Sequence, residues 1–232
     1  MTPENNQTAL NLKIHQKVIK LMGNRFEISV VSDNENWAFE QIDKAIAEIQ
    51  RIEKLLTTFD ENSQTNLINK NAGIQPVQVD KEVFDIIIRS NRISDLTQGA
   101  FDISYGSIDK SLWNFDKNMI ALPSAETAKK MVRLINYKNI ILDANQQTVF
   151  LKNTGMRIGF GGIGKGYAAE QAKKVMQQNG VENGIVNASG DLTVWGFQPN
   201  GKPWTIGIAN PNQSNEYFSS VELSKVSMIC FV

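Results

Sequence analysis

Cysteine and histidine are almost missing from this chain, which has one of each in 232 residues: Cys230 and His15. A single cysteine excludes an internal disulfide framework and cysteine-based zinc sites. A single histidine, set in a polar N-terminal stretch, leaves Ser-His-Asp or Cys-His chemistry without its base unless that residue folds into the site. The plain reading of His15 is a surface residue. An excess of either charge is missing too, because Lys plus Arg (24) match Asp plus Glu (24). No global basic field exists to draw in nucleic acid or an anionic membrane, although a local anion site is still allowed. No apolar run reaches the roughly 18 residues of a membrane helix, and residues 1–21 lack the apolar centre of a signal peptide. As given, the chain therefore reads as cytoplasmic, with the cell envelope or periplasm as the alternative if an export signal has been removed. There is no internal repeat, low-complexity tract or linker.

What is present is 41% hydrophobic residues, enough to bury a core in one large domain or two small ones. Residues 25–31 (RFEISVV) alternate well enough for a strand, and the cluster Ser32, Asp33 and Asn34 offers helix N-cap groups. Ile42, Ala45, Ile46, Ile49, Ile52, Leu55 and Leu56 then recur at helical spacing and predict a long helix stopping near residues 57–60. A second helix fits between Asp80 as N-cap and Gly99 as stop. A third runs from Ser124 to about Ile135. Residues 140–142 and 148–151 read as a strand pair. Residues 163–179 read as a helix stopped by Gly180. Residues 184–189, 192–197 and 204–209 read as strands, the last two joined as a hairpin across Pro199, Asn200 and Gly201. Helices and hairpins without regular βαβ alternation predict an α+β fold, a mixed sheet with packed helices.

Residues 157–170 read RIGFGGIGKGYAAE. The pattern G-x-x-x-x-G-K is followed by Gly166, where a phosphate-binding P-loop carries Ser or Thr. Without that hydroxyl on Mg²⁺, and with no acidic residue in a Walker-B setting, the nucleoside-triphosphatase reading fails. A strand, a glycine run and a helix start still make a competent anion site, with Lys165 as a mobile charge. The plain alternative is close helix packing with Lys165 in solvent. The GAFDI run at 99–103 puts Asp102 at a helix end, where it could bond a cofactor or simply cap a turn. The NASGD run at 187–191 ends a strand in polar residues, as a ligand site or as a tight turn.

Taken together, LMGN (21–24), LTTFD (56–60) with Ser63 and LIN (67–69), GAFDI (99–103), GGIGKGY (161–167), NASGD (187–191) and PWTIGI (203–208) resemble, in order and spacing, the ApbE family of FAD:protein FMN transferases. The resemblance runs from about residue 18 to about residue 210. It implies a domain over 21–232 behind an N-terminal polar segment, 1–20. It also implies an activity: FAD is split at its pyrophosphate with Mg²⁺, FMN is placed on a Thr or Ser of a target flavoprotein, and AMP is released. By the same resemblance Met22, Phe59, Ala100, Phe101, Asp102 and Lys165 line the FAD site, and the backbone carbonyl of Gly162 is a Mg²⁺ ligand.

The chain departs from the family pattern in three places. Phe59 replaces a tyrosine, keeping a stacking surface and losing a hydroxyl. Gly159 stands where many members have Asp. The residues after the strand at 221–226 do not continue into the family's His-Ile-x-Asp-Pro-x-Thr-Gly segment, so the tail at 227–232 reads as a truncated or frame-shifted end, or else as a last buried strand. On this reading the domain is incomplete at its C-terminus and Mg²⁺ has few ligands, with Asp102, Asp191 or Glu170 as substitutes. A non-catalytic FAD-binding protein and a Mg²⁺-dependent FAD pyrophosphatase are the alternatives to the transferase.

Overall fold

The computed structural model describes residues 11–108, 123–210, 213–224 and 227–229. Residues 1–10, Val226, Cys230 and the end of the tail lie outside the described residues. The strands are β1 (Lys13–Leu21), β2 (Asn24–Ser32), β3 (Val77–Gln78), β4 (Ile140–Asp143), β5 (Thr148–Leu151), β6 (Gly184–Ala188), β7 (Asp191–Trp195), β8 (Trp204–Asn210), β9 (Gln213–Leu223) and β10 (Ser227–Ile229). The helices are α1 (Glu35–Leu56), α2 (Gln64–Lys70), α3 (Lys81–Leu96), α4 (Ala125–Met131) and α5 (Gly164–Gln178), with short 3₁₀ turns at Ile103–Ser107, Val132–Leu134 and Tyr137–Asn139. The mixture is α+β, as the sequence predicts. The chain forms two compact units: Met1–Arg51 with Lys165–Val232, and Ile52–Gly164.

The first unit is built on a five-stranded antiparallel sheet in the order β1-β2-β6-β7-β10. Its strand β2, between β1 and β6, buries Phe26, Ile28 and Val30 completely. Val31, Leu192, Val194 and Trp204 form a buried cluster that Leu12, Ile185, Ile206 and Leu223 pack against. In α1, Asn34 is the N-cap, its Oδ1 accepting from the Trp37 amide at 3.0 Å. The predicted stripe of that helix is buried at Ile42, Ala45, Ile49, Ile52 and Leu56, and only half-buried at Ile46 and Leu55.

Two features of this unit differ from the sequence reading. Residues 13–20, read as a polar segment, are most of β1, paired with β2 from Lys13↔Ser32 to Leu21↔Asn24. Hydropathy hides this strand because its outward positions include the exposed Ile14 and Val18. Its inward side carries His15 and Lys17, whose ring and ammonium both lie against Phe39. His15 is thus half-buried, with Nε2 3.1 Å from the Ser32 carbonyl oxygen. The predicted β7–β8 hairpin is also replaced. The turn exists, with Gly201 at φ +75° and its amide on the Gln198 carbonyl, but β8 pairs with β9 and β7 with β6 and β10. Turn chemistry fixes the reversal of the chain; it does not fix which strands then share a ladder.

The second unit carries α2, α3, α4 and the three-stranded antiparallel sheet β3-β5-β4. The sequence reading has no counterpart of α2, whose N-cap Ser63 accepts from the Asn66 amide. In α3, Asp80 occupies the N-cap position without a side-chain cap bond; its carboxylate accepts from the Gln64 side chain instead. Ser124 caps α4 as predicted, but the α-helix stops at Met131 and a 3₁₀ turn covers Val132–Leu134.

Candidate functional site

The residues singled out by the sequence fall into two sets, one in each unit. In the second unit, α3 ends at Thr97, Gln98 (φ +53°) and Gly99 (φ +85°), and the Gly99 amide reaches back 2.8 Å to the Ser94 carbonyl. This left-handed reversal sends the chain into Ala100, Phe101 and Asp102. Ala100 is exposed and Phe101 half-buried. Asp102 is the N-cap of the 3₁₀ turn at Ile103–Ser107. Its Oδ1 accepts from the Ser104 amide (2.8 Å) and hydroxyl (2.6 Å), and its Oδ2 from the Tyr137 amide (2.8 Å). The Ser104 hydroxyl in turn accepts from the Asn136 amide at 2.8 Å. Asp102 is thus a cap that also ties two turns together, and it borders a polar groove of about 520 Å³ lined in part by Asp95, Gly99, Asn136, Tyr137 and Lys138. The Tyr137 phenol is held above its usual pKa, first by its hydrogen bond to the Asp95 carboxylate and further by desolvation and the charges of Asp95 and Asp102.

The glycine run is prepared by side chains that lie far from it in sequence. Buried Asn69, from α2, pairs with Ile158 as a neighbouring strand would: its Nδ2 donates to the Ile158 carbonyl (3.1 Å) and its Oδ1 accepts from the Ile158 amide (2.7 Å). Ser107 does the same for Arg157, and the Gly159 amide bonds the Ile103 carbonyl. Residues 157–160 are therefore held in place without belonging to a sheet, and the strand read before the loop, 148–151, is β5, which ends short of them. At its far end the Gly161 amide donates to the Tyr105 hydroxyl at 3.0 Å. Burial pushes the Tyr105 phenol pKa up, and that amide bond offsets part of the rise. The amides of Ile163 and Gly164 both reach the Phe160 carbonyl. Three donors that the sequence reading offered to a phosphate are already satisfied within the fold. Gly162 is exposed, and a Cβ there would come within 3.2 Å of the Phe101 ring. Ala100, Phe101, Asp102 and Gly162 thus form one neighbourhood through the Phe101 ring. Phe59 stands on a separate turn, 91% exposed, whose Thr58 and Asp60 carbonyls are held by the Asn66 amide group.

In the first unit the register Phe26↔Ala188 places the β1–β2 and β6–β7 turns at the same end of the sheet. Both are tight turns with two positive φ angles, Met22 (+50°) with Gly23 (+73°), and Ser189 (+57°) with Gly190 (+101°). That is the hairpin type whose twist suits antiparallel strands. This explains two motifs at once: LMGN is a hairpin turn presenting Met22, and NASGD is a hairpin turn delivering Asp191. Lys165, in the first turn of α5, meets the second of them. Its Nζ lies 2.7 Å from Asp191 Oδ2 and 3.4 Å from the Ala188 carbonyl oxygen. Lys165 is therefore neither a mobile charge nor a solvent-facing side chain. Further along α5, Lys173 is fully buried, 3.6 Å from Glu170 Oε2, which also accepts from the Thr193 hydroxyl.

Each carboxylate considered as a metal ligand already has a protein partner: Asp102 its cap donors, Asp191 Lys165, and Glu170 Thr193 and Lys173. Among the described residues no group of three or more His, Cys, Asp or Glu is placed to hold a metal ion, and no helix is long and apolar enough to cross a membrane. Sequence reasoning missed Asn69, Tyr105 and the pairing of Asp191 with Lys165. Asn69 follows two apolar residues in LIN and Asp191 opens a strand after NASG, and the available signal was that a polar side chain carried into a folded element needs a partner.

The fold defines an α+β protein, and each of its two units carries its own set of polar and glycine-rich turns. The model of the ApbE family matches residues 22–230, and the chain belongs to that family. It is 31% identical over 191 residues to an FAD:protein FMN transferase of Klebsiella pneumoniae (strain 342), covering 82% of this chain and 57% of the relative. The FAD:protein FMN transferase of Escherichia coli (strain K12) is 26% identical over 206 residues, covering 87% and 58%. Among solved structures, the ApbE protein of Thermotoga maritima superposes with a TM-score of 0.82 at 26% identity, covering 92% of this chain and 68% of that one. The apo flavinyl transferase ApbE of Pseudomonas stutzeri has the same fold at a TM-score of 0.77 and 23% identity, covering 92% and 67%. The chain spans little more than half the length of the two transferases.

Proposed function

We propose that this chain acts as an FAD:protein FMN transferase. The hydroxyl oxygen of a Thr or Ser on a partner flavoprotein attacks the FMN-side phosphorus of the FAD pyrophosphate. The bond from that phosphorus to the bridging oxygen breaks, AMP leaves with the oxygen, and the hydroxyl proton passes to a base. The observation that carries the reading is the family match over residues 22–230. Met22 and Lys165, at one end of the first unit's sheet, and Phe59, Ala100, Phe101 and Asp102, in the second unit, are the residues we assign to FAD. For this chemistry an ammonium near the pyrophosphate offsets charge that grows on the transferring and leaving oxygens.

The family resemblance implies Mg²⁺, but the described residues do not fit it by themselves. The ion asks for about six oxygens in octahedral array; the resemblance assigns it the Gly162 carbonyl, and among the described residues no group of three or more His, Cys, Asp or Glu is placed to add to it. The carboxylates Asp102, Asp191 and Glu170 each being held by a protein partner favours a second reading, a protein that binds FAD without transferring FMN. Incubation with FAD, Mg²⁺ and a flavoprotein acceptor domain separates the possibilities. Covalent flavin on the acceptor, read by fluorescence on a denaturing gel, supports transfer. FAD retained unchanged supports binding alone, and free FMN with AMP supports hydrolysis; either result rejects the transferase.

A further inference from the structure

We infer that Asp191 is a positioning residue for Lys165, fixing its ammonium so that one N–H is kept for a phosphate oxygen of the ligand. This rests on the assignment of Lys165 to FAD. An ammonium has three donors. Here one lies 2.7 Å from Asp191 Oδ2 and a second 3.4 Å from the Ala188 carbonyl, so the remaining direction is set by the protein. The two acceptors are themselves fixed, because Ala188 and Asp191 face each other across the two-residue turn of the β6–β7 hairpin. The turn is braced by the Asn187 side-chain oxygen, which accepts from the Gly190 amide at 3.0 Å. Ser189 accepts a left-handed backbone, φ +57°, an unusual cost for a residue with a side chain.

Helix stability does not account for the lysine. A cation in the first turn of α5 meets the positive end of the helix dipole, the less favourable end for it. Nor does the ion pair account for itself: the two side chains are only 24% and 17% exposed, and in a largely buried pair the desolvation of both charges offsets much of their attraction. The arrangement holds a cation where the fold gains little from it, with its direction defined.

The test is titration of FAD and of riboflavin, which has no phosphate, into the wild-type chain, Lys165→Met, Asp191→Asn and the double variant. The expected result is an FAD dissociation constant about tenfold higher for Asp191→Asn, the order of one charge-assisted hydrogen bond lost, with riboflavin unchanged. In the Lys165→Met background the Asp191→Asn change should have no further effect. Should Asp191→Asn fail to fold, Asp191→Glu keeps the charge on a longer arm, and its FAD-to-riboflavin affinity ratio should fall as well. If Lys165→Met lowers that ratio and the Asp191 variants do not, the positioning role is overturned while the assignment of Lys165 stands. Tighter FAD binding by Asp191→Asn would also overturn it, making Asp191 a competitor of the ligand. No change on Lys165→Met, or no FAD binding by the wild type, removes the assignment itself and the inference with it.

Discussion

Asp102 and Asp191 follow similar small-residue runs, GAFD and NASGD, yet the two are used in different ways. Asp102 is saturated by neutral donors, two from Ser104 and one from Tyr137. Asp191 faces an ammonium in the first turn of a helix. The first carboxylate is part of how its unit is held together, and the same is true of Asn69, Ser107 and Tyr105 around the glycine run. The second adds little to the fold and orients a charge. Two aspartates that read alike in sequence therefore differ in what their removal costs first: stability for Asp102, whatever it also does for FAD, and ligand selectivity for Asp191.

The sharpest way to break this contrast is Asn69→Ala. It leaves the amide and carbonyl of buried Ile158 without partners, and each unpaired buried group costs about 1–3 kcal/mol. A loss of about 3 kcal/mol in urea unfolding is expected. A loss below about 1 kcal/mol would mean that water or the loop itself replaces Asn69 and that the glycine run is not held by it.

Asp102→Ala comes next. It removes three hydrogen bonds to a half-buried carboxylate together with a cap, and about 2 kcal/mol of stability is expected to go with them. Any loss of FAD affinity must then be measured well below the unfolding midpoint. A variant as stable as wild type but deficient in FAD binding would move Asp102 to the same side of the comparison as Asp191.

The long amphipathic helix α1, the caps at Asn34 and Ser124 and the β4–β5 pair were legible because each is set by neighbours in sequence. What stayed hidden was non-local. The inward side of β1 carries His15 and Lys17, which pack on Phe39 and look polar to any hydropathy pattern. The β7–β8 turn was correct in chemistry, but the partner of β8 is β9, a choice made by packing. At the site, the glycine run announced a place and the family motifs announced its members. The Gly161 amide being satisfied by Tyr105 depends on a contact 56 residues apart in sequence, and no local pattern encodes it; the bonds of Ile163 and Gly164 to Phe160 are local turns.

Alkaline pH probes the neutral side of the contrast through Tyr105. Its phenol pKa is raised in the folded chain, chiefly by burial. A raised folded pKa means that its stabilising contribution is complete below the unfolded value, about 10, and is lost as pH rises through the folded one. Stability should therefore fall above about pH 10, and less steeply in Tyr105→Phe. An identical slope in the variant would assign the alkaline loss to other groups.

On the charged side, Lys165→Met leaves the Asp191 carboxylate, 17% exposed, without its cation but within reach of water, so a loss of about 1 kcal/mol is expected, smaller than at Asp102, while FAD weakens relative to riboflavin. A larger loss of stability, matched by equal weakening of both ligands, would place Lys165 among the residues that hold the fold together.

The smallest effect is expected at Lys173, on the same helix. Its side chain is 2% exposed, 3.6 Å from Glu170 Oε2, and its ammonium has no hydrogen-bond partner. A buried cation with one distant partner gains less from attraction than it loses in desolvation, and apolar replacement of such pairs is often neutral or stabilising. Methionine has nearly the same length and no charge to desolvate. Glu170, still bonded to Thr193 and 22% exposed, keeps a partner and access to water. Lys173→Met should therefore leave the urea midpoint unchanged or raise it, by up to about 1 kcal/mol, and should leave the FAD-to-riboflavin ratio where it was. A loss of 2 kcal/mol or more would show that this buried pair contributes to folding in a way the Lys165–Asp191 pair does not. A changed ratio would extend the charge-orienting role along α5 from Lys165 to Lys173, and Asp191 would no longer be the group that sets it alone.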